Sequence, residues 1–124
     1  MRVLVLDDSR AMRTILGSIL RDIGFDVIDA ADGEEALKLV QANPDLVLAL
    51  VDWNLPGMSG LDFVTAVREQ LKSEMRLMMV TTETELERMS QALESGADEY
   101  IMKPFTKDML IEKLDLIGFE LDAG

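Results

Sequence analysis

Leu46 to Val51 are six consecutive apolar residues, Leu-Val-Leu-Ala-Leu-Val. A strand built from them has no polar face to turn toward water. It must be covered on both sides, as in a parallel sheet held between two layers of helices. Shorter runs recur at Val3 to Leu6, Val27 to Ala30, Leu77 to Val80 and Tyr100 to Met102, so the pattern predicts five strands. Helical periodicity fills the intervals. From Met12, the residues Ile15, Leu16, Ile19, Leu20 and Ile23 share one face, and Gly24 supplies a stop. A second helix over Gly33 to Ala42 buries Ala36, Leu37 and Val40 and ends before Asn43-Pro44, where proline cannot continue the ladder. A third spans Leu61 to Leu71 through Val64 and Val67. The fourth is expected behind Thr84 and Glu87, spaced as a capping box, with Leu86, Met89 and Leu93 facing inward and Gly96 ending it. The last, Lys107 to Ile117, stacks Leu110, Leu114 and Ile117. Strand then helix, five times over, predicts one α/β three-layer sandwich across residues 1–124, doubly wound, with 118–124 a short tail that extends the last helix or frays.

Composition narrows the chemistry. The 124 residues include neither cysteine nor histidine, which excludes disulfides, thiolate or imidazole metal ligands, and a histidine base within the chain. Twelve Lys and Arg stand against 24 Asp and Glu, a net charge of −12, which repels a phosphate backbone or an anionic membrane and suits a divalent cation. No apolar run is long enough to span a bilayer or to form a signal-peptide core, so a cytoplasmic protein that binds neither nucleic acid nor membrane is expected. The nine methionines read as flexible core filler, with Met58 and Met89 the two placed where exposure is conceivable.

In a doubly wound sheet the reactive groups gather at the carboxyl ends of the strands. The first run ends in Asp7-Asp8, the third in Asp52, the fourth in Thr81-Thr82 and the fifth in Lys103-Pro104. One edge therefore collects three carboxylates, hydroxyls and an ammonium. Crowded carboxylates raise one another's proton affinity unless a cation shares the site, and hard oxygen donors favour Mg²⁺ or Ca²⁺, Mg²⁺ the better match where phosphate oxygens also bind. A carboxylate can act as a nucleophile toward phosphorus when cationic and hydroxyl groups take up the oxygen charge. Singly, each residue has a plainer reading. Asp7-Asp8 can cap the first helix, Asp52 can open the loop Asn54-Leu55-Pro56-Gly57, and Lys103 can be a surface charge.

Over its whole length the sequence resembles the receiver domains of two-component response regulators. The matching stretches are Val3 to Ser9, Val51 to Gly60, Met79 to Thr81 and Gly96 to Phe105. The resemblance implies a flavodoxin-like (βα)5 fold with strand order 2-1-3-4-5. It also implies a phosphoryl acceptor at Asp52, Mg²⁺ held by Asp8, Asp52 and the Asn54 backbone carbonyl with Asp7 on a coordinated water, and phosphoryl oxygens bound by Thr81 and Lys103. The bond before Pro104 is expected to be cis. Thr81 and Tyr100 are the expected switch residues, moving the face formed by the fourth helix, fifth strand and fifth helix, where Glu87, Tyr100 and Lys113 lie. The phosphodonor would be a partner histidine kinase, which reconciles this chemistry with a chain lacking histidine.

Trp53, Asn54, Glu83, Tyr100, Lys103 to Thr106 and Met12-Arg13 look most similar to the free-standing chemotaxis type, and the chain ends after the fifth helix, so a monomer acting through a changed surface is expected. Plainer readings of Tyr100 and Trp53 are a half-buried strand aromatic and a loop anchor. Asn54, Thr82 and Glu83 stand where the family tunes phosphate lifetime, and Thr82 is bulkier than the alanine, glycine or serine usual there. The acidic opening of the fourth helix, Glu83 to Glu87, departs from the lysines of the best-known chemotaxis regulators and weighs against a flagellar motor switch component as the target. The competing readings are an aspartate-nucleophile phosphatase for external substrates, of which the adjacent Asp7-Asp8 is not the required Asp-x-Asp, a flavin-binding or purely structural sandwich, and a receiver cut from a longer regulator. On the first reading the chain is not an enzyme for external substrates and catalyses only its own phosphorylation and dephosphorylation.

Overall fold

The computed structural model describes residues 1–120, apart from the side chains of residues 83 and 84. The elements alternate as β1 (Arg2–Leu6), α1 (Arg10–Ile23), β2 (Asp26–Ala30), α2 (Gly33–Ala42), β3 (Leu46–Asp52), α3 (Gly60–Thr65), β4 (Arg76–Thr81), α4 (Met89–Ser95), β5 (Glu99–Met102) and α5 (Lys107–Leu116). The five strands form one parallel sheet in the order β2-β1-β3-β4-β5. This is the flavodoxin-like order.

The alternation of side chains along each strand explains why the central runs are continuously apolar. Val3, Val5, Leu48, Leu50, Met78 and Val80 pack with Leu16 and Leu20 of α1 and Leu110 and Leu114 of α5. Leu4, Leu6, Ala49, Val51, Leu77 and Met79 pack on the other side with Ala36 of α2, Phe63 and Val64 of α3, and Met89 and Ala92 of α4. Both faces of β1, β3 and β4 are dry, so polar groups can appear only at the strand ends. The edge strands carry the charges instead, with Asp26 and Asp29 exposed on β2. No helix among the described residues is long and apolar enough to cross a membrane.

Several local expectations change. The third helix is α-helical only to Thr65, and Ala66–Gln70 widen into a π turn in which the Leu71 N–H reaches back to the Ala66 carbonyl. Arg68 in that turn donates to the carbonyls of Ser73, Met75 and Gly96 and pairs with Asp98 at 2.9 Å, tying the helix end to the start of β4 and the end of α4. The fourth helix has a 3-10 entry, Glu83–Arg88, whose cap is Thr82 rather than Thr84. Thr82 donates its N–H and its hydroxyl to Glu85 Oε1, at 3.1 and 2.9 Å, so the Ser/Thr-x-x-Glu spacing is used two residues earlier than Thr84 and Glu87 would place it. Leu86, within the tighter winding, is exposed, and in α4 Met89 and Ala92 face the core while Leu93 is exposed. Ile15 of α1 is also exposed. The tail does not prolong α5: Gly118 has a φ of 99°, and Phe119 folds back onto Phe25, ring centroids 5.9 Å apart and nearly perpendicular. Residues 121–124 of the expected tail lie outside the described residues.

Candidate functional site

β1 delivers its last residues straight to the carboxyl edge. Asp7 follows Leu6 and is only 2 % exposed, while Asp8 stands in solvent. The cap of α1 is Ser9, whose hydroxyl accepts the Met12 N–H at 3.2 Å, so the aspartates are not needed for that role. Asp7 Oδ1 accepts the Ser9 N–H at 2.9 Å, and Arg13 on the first turn of α1 donates to the Asp7 carbonyl at 2.9 Å and to Asp29 at 3.0 Å. The Asp7 peptide and one carboxylate oxygen are thereby fixed. Its other oxygen, Oδ2, is buried without a hydrogen-bond partner.

β3 runs one residue past its last partner on β1, Val51 opposite Leu6, and ends at Asp52, which pairs with Val80 of β4. Turning the chain so sharply into α3 brings the Gly60 N–H to the Trp53 carbonyl at 3.0 Å. A Cβ on Gly60 would sit 2.5 Å from the Asp52 carbonyl oxygen, so only glycine permits this approach. Trp53 is buried at 5 % exposure and anchors the loop.

Ligand oxygens of Asp7, Asp8 and Asp52 all lie within 4.8 Å of one another. Lys103 Nζ faces this group from the end of β5, 3.5 Å from Asp7 Oδ2 and 3.7 Å from Asp52 Oδ1. The Lys103–Pro104 bond is cis, and the Lys103 N–H donates to the Thr81 carbonyl at 2.7 Å. Thr81 is fully buried, its hydroxyl directed to the Thr82 carbonyl at 3.2 Å. Burial pushes the Asp52 carboxyl up to about 6, with the charges of Asp7, Glu85 and Asp8 adding to the rise and Lys103 opposing it. A buried carboxylate oxygen that makes no hydrogen bond and has only the Lys103 ammonium near it, beside two further carboxylates, is a donor set that fits a hard divalent cation.

One participant escapes the sequence reading. Glu85 is 8 % exposed, and besides its bonds to Thr82 its Oε2 accepts the side-chain amide of Asn54. Thr82-x-x-Glu85 has the spacing that could have revealed it, but Thr84-x-x-Glu87 has the same spacing. Asn54 itself is exposed. Glu83 opens the turn, and its side chain lies outside the described residues.

The expected output residues divide. Tyr100 is half-buried, and Lys113 Nζ lies 4.7 Å from its ring centroid and 3.4 Å from Glu99 Oε1, so β5 and α5 are joined there. Glu87 is on the exposed side of the 3-10 turn.

Comparison with known proteins gives consistent findings. The response regulator receiver domain family matches residues 3–115. The chain is 41% identical over 119 residues to the chemotaxis protein CheY1 of Helicobacter pylori, covering 94% of this chain and 96% of that one. It is 44% identical over 121 residues to the CheY homolog of Campylobacter jejuni, covering 95% and 93%. Among solved structures, the Vibrio cholerae chemotaxis protein CheY4 superposes with a TM-score of 0.83 at 36% identity, over 92% of this chain and 95% of that one.

Proposed function

The chain belongs to the response regulator receiver domain family, and from that premise we propose that it is a chemotaxis-type phosphorylation switch, accepting a phosphoryl group on Asp52 from a partner histidine kinase and altering its α4-β5-α5 face to control a protein target. The observation that carries this reading is the convergence of Asp7, Asp8 and Asp52 within 4.8 Å, with the Lys103 ammonium opposite. Receivers of this type are signalling regulators rather than classical enzymes.

An Asp52 carboxylate oxygen forms a bond to phosphorus as the bond from phosphorus to the donor's imidazole nitrogen breaks. The imidazole leaves with that electron pair and is protonated. With its carboxyl at about 6, Asp52 is mostly ionised at pH 7 and able to attack. Lys103 holds one phosphoryl oxygen, and Thr81 turns its hydroxyl from the Thr82 carbonyl to another. Asp8, Asp52 and the Asn54 backbone carbonyl would hold Mg²⁺, with Asp7 holding one of its waters, and the ion would neutralise charge on the phosphoryl oxygens. Water attack on phosphorus, with cleavage of its bond to the Asp52 oxygen, returns the free carboxylate, and Asn54, Thr82 and Glu83 set how soon.

The movement of Thr81 is read at Tyr100, whose ring lies under Lys113, and so reaches the face that also carries Glu87. Chemotaxis as the pathway rests on the names of the relatives. A flagellar motor switch component would be the corresponding target, against which the acidic opening Glu83 to Glu87 weighs, and residues 1–124 would act as one cytoplasmic, monomeric domain. The test uses Trp53, the sole tryptophan. With Mg²⁺ present, a small phosphoryl donor should change its emission transiently, and Asp52→Asn should abolish that change. A donor response that survives the substitution contradicts the assignment of Asp52.

A further inference from the structure

Glu85 has no part in the phosphorylation chemistry described above, yet among the described residues it is one of the few charged side chains that are buried. Its carboxylate is satisfied by the Thr82 N–H and hydroxyl at one oxygen and by the Asn54 amide at the other. The position of these donors matters. Asp52 pairs with Val80 across the β3-β4 register, so Thr82 stands two residues past that partner on the same rim, and Asn54 stands two residues past Asp52 itself. Through Asn54, two residues from Asp52, and Thr82, next to Thr81, the Glu85 carboxylate is held beside the carboxyl edge of the sheet.

We propose that Glu85 is a built-in competitor for the anion site at Asp52, its carboxylate occupying polar donors on the Thr82 and Asn54 sides of the acceptor that an incoming phosphoryl group would otherwise engage. The inference rests on the receiver reading and adds a specificity-determining residue to it. A phosphoryl group brings roughly −1.5 to −2 charge and three acceptor oxygens to Asp52. It repels Glu85 and competes for the same donors, so adduct formation and the Glu85 bonds oppose one another. Because Glu85 holds the 3-10 entry to α4 against the β3-α3 loop, its release also frees that entry.

The full chain is titrated with beryllium fluoride, a tetrahedral phosphoryl mimic that adds to carboxylates, in the presence of Mg²⁺. Binding is followed by Trp53 emission and by fluorine NMR of the bound adduct. Glu85→Gln keeps the side-chain shape and should tighten binding about fivefold or more, and Glu85→Ala should do so at least as strongly. Glu94→Gln removes the same charge from an exposed site on α4 and should change binding less than about twofold. The Asn54 side-chain amide should move on adduct formation in the unmodified chain and be displaced already in Glu85→Ala without fluoride. Binding no tighter in either Glu85 variant, or equal tightening by Glu94→Gln, overturns the proposal while leaving Asp52 as acceptor. Failure of the unmodified chain to form any adduct overturns both.

Discussion

Asp52 ionises at a cost. Its carboxyl rises from 3.8 to about 6 because it is buried and faces Asp7, with Lys103 only partly compensating. The folded chain therefore binds a proton that the unfolded chain has released between those values, and stability declines as pH rises through that interval. Asp52→Asn removes the charge and should stabilise the divalent-free protein by about 1–3 kcal/mol at pH 7.5, the gain shrinking as pH falls from 6 toward 4. Urea denaturation at several pH values checks this, and a gain independent of pH would contradict it. At this scale the sequence was informative where a residue's place in a strand fixes its position. Asp52 and Thr81 end their strands, Asp7 and Lys103 directly follow theirs, and the carboxylates and the Lys103 ammonium meet at the rim. Glu85 was illegible because two overlapping Ser/Thr-x-x-Glu spacings compete, and three-dimensional contact with Asn54, 31 residues away, decides between them.

At the scale of elements, the five strands and the bounds of α2 could be read from apolar runs and punctuation, since fully covered strands and a proline stop leave little latitude. The π turn in Ala66–Gln70 could not. It arises where Arg68 reaches three carbonyls and Asp98 from neighbouring segments, and local periodicity carries no trace of those partners. The junction of β3 with α3 is the element contact most directly bound to the site. Gly60→Ala places a methyl against the Asp52 carbonyl and should cost about 2 kcal/mol or more, with loss of cooperative unfolding or a shifted Trp53 emission as the sign that the loop has moved. An unchanged melting temperature would show that the backbone gives way without effect.

The whole molecule concentrates a general excess of negative charge into a particular place. A net charge of −12 is spread over the surface, but the parallel sheet brings three of the carboxylates to one edge. Diffuse screening and specific binding then separate experimentally. Mg²⁺ at a hundredfold excess over its Kd should add about 2–3 kcal/mol, several degrees in melting temperature, well beyond NaCl at matched ionic strength. Asp8→Asn should remove most of the difference. Equal effects of the two salts would mean that the carboxylates are merely screened.

The central claim is that Asp52 carries the phosphoryl group, and intact-mass spectrometry with peptide mapping tests it most directly. After incubation with Mg²⁺ and a small phosphoryl donor, the chain should gain the mass of one phosphoryl group, located at Asp52, removed by hydroxylamine, and missing from Asp52→Asn or when Mg²⁺ is chelated. A phosphoryl group found on another residue, or retained in Asp52→Asn, would contradict the account.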